Sequence, residues 1–122
     1  MSTEFRTPLR AICTALPGAV AATVMGSDGI PVETIQSAPN AVDVGSLIVE
    51  YAAILEQVRR SAQMFEAGNL EELAIASEHL VTIIRPLTVE YFLALAMLPS
   101  ASSGRGRYLL RVHAHRLVEA LA

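Results

Sequence analysis

From Val44 to Phe65 the sequence VGSLIVEYAAILEQVRRSAQMF keeps a single unbroken period, which limits what the rest of the chain can become. Val44, Leu47, Ile48, Tyr51, Ile54, Leu55, Val58, Ala62 and Phe65 recur at steps of three and four residues, so they line one side of an α-helix. Asn40 and Asp43 offer side-chain acceptors to the unpaired amides at its start, and Gly68-Asn69 tolerates the positive φ at which it must stop. Roughly 25 helical residues would reach about 37 Å, longer than the diameter expected for a globule of this size. The helix should therefore overhang its own domain. Its other side, Ser46, Glu50, Ala53, Gln57, Arg60 and Met64, mixes small, charged and apolar groups, and reads either as a surface shared with another protein or as a solvated face.

A chain of 122 residues has room for one domain, and its 52% hydrophobic and 17% charged content is more apolar than usual for a soluble domain. Some apolar surface is therefore expected to meet a partner, the simplest being a second copy. The longest apolar run, Tyr91–Leu98, is strand-sized and far short of the about 18 residues of a membrane span. The opening residues lack the apolar core of a secretion signal, and a lone cysteine, Cys13, cannot staple the chain to itself. A reducing cytoplasm suits such a chain. The net charge of −3 opposes bulk attraction to nucleic acid, although the last twenty residues are locally basic.

Around the long helix the elements follow in order. Thr7-Pro8 reads as an N-cap followed by proline at the first helical position, with Phe5 able to extend the helix backwards and Leu9, Ile12, Cys13 and Leu16 on one face. Ala19–Met25 is apolar throughout and predicts a strand covered on both sides. Gly26-Ser27-Asp28-Gly29 turns it into a second strand, which Pro31 confines to a sheet edge. After the helix, Leu70–Ser77 alternates Leu73, Ile75 and Ser77 against Glu72, Ala74 and Ala76, Glu78-His79 reverses, and Leu80–Arg85 returns until Pro86. Tyr91–Leu98 should be the central strand, Pro99–Gly106 a flexible loop, and Arg107–Leu121 a last helix with Leu110, Ala114, Leu117 and Leu121 at core spacing. The fold class is α+β: one five-stranded antiparallel sheet between helices, in the order α-β-β-α-β-β-β-α.

Catalytic and cofactor chemistry is not expected. No GxxxxGK[ST] loop is present to hold a nucleotide. Gly104-Arg105-Gly106-Arg107 could face a phosphate, but a glycine-bearing helix start is the plainer reading. His113 and His115 lie about 200° apart around a helix and cannot share a metal ion. Glu71-Glu72 reads as solvated, Glu56 with Arg59 and Arg60 as helix-stabilising pairing, and Arg105, Arg107, Arg111, His115 and Arg116 as an ordinary basic face. No cofactor, metal or nucleic acid is expected, and no membrane insertion.

The element order, the hairpin GAVAATVMGSDGIPVET, the helix ending at EAGNLEEL, the pair ELAIASEHLVTIIRPL, the strand YFLALAML and the helix GRGRYLLR together resemble the roadblock (dynein light chain) family over nearly the whole chain. Within it the chain is similar to the bacterial Mgl-type regulators of polarity and gliding, and VEYAAILEQVRRSA and SEHLVTIIRP look more MglC-type than MglB-type. The resemblance implies a profilin-like sandwich that forms a homodimer, in which the strand after the long helix pairs with its copy through Leu73, Ala74, Ile75, Ala76 and Ser77. The paired helices would meet through Tyr51, Ile54 and Val58. It also implies a platform, here Glu50, Ala53, Gln57, Arg60 and Met64, for another roadblock protein, a Ras-like small GTPase or a response-regulator-like polarity protein. Independently, few charges protect the Ala74–Ala76 edge from pairing.

A non-enzymatic adapter or regulator is the function expected, cytoplasmic and with recruitment to cell poles as a further expectation. Direct activation of the GTPase, as by an MglB-type protein, is the alternative, and the chain's stopping right after its last helix leans toward the adapter. A small-molecule sensor would need a cavity that the dense apolar strands disfavour.

Overall fold

Eight elements run through residues 3–122, which the computed structural model describes: α1 (Thr3–Ala15), β1 (Ala19–Gly26), β2 (Pro31–Gln36), α2 (Val44–Met64), β3 (Leu73–Ala76), β4 (Val81–Pro86), β5 (Tyr91–Met97) and α3 (Ser103–Leu121). The strands form one antiparallel sheet in the order β2-β1-β5-β4-β3, which puts β5 at the centre and the proline-bearing β2 at an edge, both as expected.

Alternation along β5 explains its unbroken apolar run. Leu93, Leu95 and Met97 point to one side of the sheet, where α1 supplies Leu9 and Ile12 and α3 supplies Leu109, Leu110 and Leu117. Phe92, Ala94 and Ala96 point to the other, where α2 alone supplies Val44, Ile48, Ala52 and Leu55. Both faces are therefore buried, one under two helices and one under a single helix.

The long helix is shorter and buries less than its period suggests. It has 21 residues, about 32 Å, and ends at Met64 rather than at Gly68-Asn69. The chain leaves it through Glu66 at φ 60 and then Gly68 at φ 93, so the reversal begins ahead of the glycine. At its start Asp43 is the cap: its carboxylate accepts from the Ser46 amide at 3.2 Å and the Ser46 hydroxyl at 2.8 Å, which hold the acid below the usual carboxylate range. Asn40 instead accepts from the Val42 amide, within the preceding loop. Of the nine residues on the periodic side, Val44, Ile48 and Leu55 are buried, Leu47, Tyr51, Val58 and Ala62 are half-buried, and Ile54 and Phe65 are exposed. A cylinder resting on a sheet touches it along a narrow strip, here completed by Ala52, so the flank of the apolar stripe is left uncovered.

Both other helices start earlier than expected. In α1, Thr7 is not the cap and Pro8 lies buried inside the helix, because Phe5 packs against the core and gives the preceding turn a reason to form. In α3 the stretch read as a loop is helical from Ser103, with the Ser102 hydroxyl accepting from the Arg105 amide at 3.1 Å. Gly106 is buried there because a Cβ would sit 3.2 Å from Leu95 Cδ2 and 3.4 Å from Met97 Sδ, so helix and sheet touch at that point. Leu109 takes the core place expected of Ala114, which is half-buried.

Candidate docking surfaces

The two outer strands of the sheet are finished differently. Along β2, the Ser37 amide bonds inward to the Val20 carbonyl, and counting back by twos puts Ile35 and Glu33 inward and Thr34 outward. That outward Thr34 amide is occupied by the Glu33 carboxylate, Oε1 accepting at 3.0 Å, and Arg6 Nη1 holds the same oxygen at 3.2 Å. The Thr23 hydroxyl, shared with Thr34 Oγ1 at 2.7 Å, donates to the Glu33 carbonyl at 3.0 Å and fixes the register. One outward donor of β2 is thus taken up and Pro31 brings no amide hydrogen to the strand, so this edge is partly blocked.

Strand β3 is open. It runs Leu73–Ala76 rather than Leu70–Ser77 and pairs only with β4, leaving its other side unpaired. Leu70 packs under the α2 side, and Ser77 has turned away, its amide bonded to the Leu80 carbonyl at 2.9 Å. Ser77 therefore lies outside the strand in which it was expected. Ala74 and Ala76 are exposed, and no charge or proline interrupts the strand. The carboxylate that could guard it, Glu72, is drawn off by Arg107, whose Nε donates to Oε2 at 2.8 Å.

Beside that edge lies the uncovered flank of α2. Leu47, Tyr51, Leu70 and Leu73 pack against the α2-side core while part of each stays open, Val58 is half-buried and Ile54 is exposed. Leu73 and Ile75 sit on the same side of the sheet as α2, and Ala74 and Ala76 on the opposite side. Of the residues singled out for self-pairing, Tyr51 and Leu73 pack on the α2-side cluster, whereas Ala74 and Ala76 face the other way. Glu50, Ala53, Gln57, Arg60 and Met64 are all exposed along the outer line of α2, at helical steps that keep them on one face. Among the described residues neither Glu50 nor Arg60 makes an ion pair.

The remaining reactive side chains are committed elsewhere. Arg105 Nε donates to the Ala15 carbonyl at 2.9 Å and its amide is capped by Ser102, so together with the Arg107–Glu72 pair the Gly104–Arg107 segment works as a helix start and not as a phosphate cradle. Cys13 is buried, which pushes its thiol pKa up despite a hydrogen bond with Ser37 and the charge of Arg10. Burial pushes the His113 imidazole down, aided by Arg116. Among the described residues no group of three side chains could hold a metal ion, and no helix is long and apolar enough to cross a membrane. Two tertiary ties had no local signature: the Glu33 guard, and Arg59, which besides facing Glu56 at 3.6 Å donates to the Val89 carbonyl at 2.8 Å and fastens α2 to the β4–β5 turn.

Residues 12–96 match the model of the Roadblock/LC7 domain. Searched against curated proteins, the chain finds no sequence match. Among solved structures it is similar to MglC from Myxococcus xanthus, with 37% identity over 96% of this chain and 98% of that one and a TM-score of 0.70. It shares the fold of the gliding protein MglB from Thermus thermophilus, at 14% identity, 98% and 91% coverage and a TM-score of 0.83. It also shares the fold of an MglB described in a tetrameric arrangement, at 14% identity, 98% and 90% coverage and a TM-score of 0.84.

Proposed function

The chain belongs to the Roadblock/LC7 domain family, and from that premise we propose that it is a non-enzymatic, homodimeric adapter of a bacterial polarity and motility module built around a Ras-like small GTPase. The observation that carries this reading is the contrast between the sheet edges: β2 is partly blocked by Glu33 and Pro31, while β3 has no such guard. Two copies joined β3 to β3 would continue one sheet across the pair and bring Tyr51, Ile54 and Val58 of each helix against the other. The exposed line Glu50, Ala53, Gln57, Arg60 and Met64 would then double into a platform that neither copy has alone. A roadblock protein of MglB type is the partner favoured by the similarity to MglC, whereas the fold shared with MglB keeps direct action on the GTPase as the competing outcome.

The test mixes the purified chain with a cognate MglB-type protein and, separately, with an MglA-type GTPase loaded with GTP. The adapter reading expects a stable complex with the first and no acceleration of phosphate release with the second. Acceleration by the chain alone would replace it with the activating role, and binding to neither would remove the module assignment.

A further inference from the structure

The β1–β2 turn and the β4–β5 turn enclose a cleft of about 340 Å³. Its walls carry Ile30, Val32 and Val89, which are 65%, 37% and 81% exposed, and single valines or isoleucines scattered on a surface do not gather in this way. Both turns are pinned. Ser27 donates its amide to the Glu90 carbonyl at 2.8 Å and its hydroxyl to the Val89 carbonyl at 3.2 Å, while Arg59 reaches that same carbonyl from α2 at 2.8 Å. The Asp28 carboxylate accepts from the Ile30 amide at 3.0 Å, and the Thr88 hydroxyl accepts from the Glu90 and Tyr91 amides. The apolar side chains are thus presented on a fixed frame, which lowers the ordering cost of any contact they make.

The exposed charges on the rim of the cleft are acidic: Asp28 and Glu90 are both exposed and neither makes an ion pair among the described residues, while Arg59, behind the turn, is largely buried, bonded to the Val89 carbonyl and facing Glu56. We propose that this cleft docks a protein partner through an apolar side chain flanked by lysine or arginine. Ile30, Val32 and Val89 would cover the apolar group, and the Asp28 and Glu90 carboxylates would meet the basic neighbours. No residue of β3 or of the exposed row on α2 lines the site, so its contacts are separate from those of self-pairing.

The probe is the acetylated, amidated peptide Lys-Leu-Lys-Leu-Lys, titrated into the full ¹⁵N-labelled chain at low salt. Amide shifts are expected at Ser27–Val32 and Val89–Tyr91, with binding about tenfold weaker for Lys-Ser-Lys-Ser-Lys and for Glu-Leu-Glu-Leu-Glu. Val89→Asp should abolish the shifts at unchanged molecular mass, since that side chain packs on nothing, and Glu90→Lys should transfer the preference to the acidic peptide. Shifts centred elsewhere, equal response to the acidic peptide, or wild-type binding by Val89→Asp would overturn the proposal. The mass measured on the same samples reports separately on whether the chain pairs with itself.

Discussion

The carboxylate of Glu33 folds back onto the amide of Thr34, 3.0 Å away, and occupies the outward donor of β2 that another strand would need. Arg6 locks it there at 3.2 Å. Glu33→Ala leaves that donor free and gives the sheet a second open edge. Sedimentation velocity across a concentration series should then show species heavier than any in the wild type, and an unchanged distribution would mean that Pro31 and the local twist suffice.

At the opposite edge, Ala74→Arg places a long cation on a strand that carries no charge of its own. If β3 pairs with its twin, light scattering should report the mass of one chain while circular dichroism keeps the wild-type helix and strand content. A full dimer in this variant would place the interface elsewhere.

Two glycines of one helix should respond with opposite signs. Gly106 has Leu95, Met97 and Ile83 within 4 Å of where a side chain would begin, so Gly106→Val should lower stability by about 1–3 kcal/mol, read as a lower urea midpoint. Gly104 has nothing within 4 Å, and Gly104→Ala should raise stability by about 0.4–1 kcal/mol by restricting the unfolded chain.

His113 sets an acid limit. Burial holds its folded-state pKa below the ordinary imidazole value, so folding favours the neutral ring. The resulting contribution is complete above the unfolded-state pKa and declines as pH falls through that value toward the folded one. In a series of urea midpoints from neutral to mildly acidic pH, His113→Gln should fall less steeply than the wild type. Parallel slopes would exclude the residue.

Where burial is two-sided or strictly periodic, the sequence already displays the structure. Tyr91–Met97 is apolar at every position because each face of β5 meets a different helical layer, and Gly26–Gly29 marks the hairpin by its own backbone needs. The period of Val44–Met64 told which residues share a face, and so grouped Tyr51, Ile54 and Val58 correctly as neighbours. It could not tell how wide a strip the sheet would cover, which leaves Ile54 and Phe65 exposed on the same side of the helix as the buried Val44, Ile48 and Leu55. Gly104 and Gly106 signalled a loop because the reason for the second lies in Leu95 and Met97, distant in the chain. The docking surfaces were legible in part for the same reason: Ala74 and Ala76 advertise a plain edge locally, while the diversion of Glu72 by Arg107 and the anchoring of Val89 by Arg59 exist only once the chain has closed.

On one face of the sheet two helices share the work of covering it, whereas on the other α2 works alone. That single rod keeps the fold with Val44, Ile48, Ala52 and Leu55 and shows strangers Glu50, Ala53, Gln57, Arg60 and Met64, with no residue common to both lists. Evolution can therefore rewrite the outward row while the inward row, and with it the architecture, stays untouched.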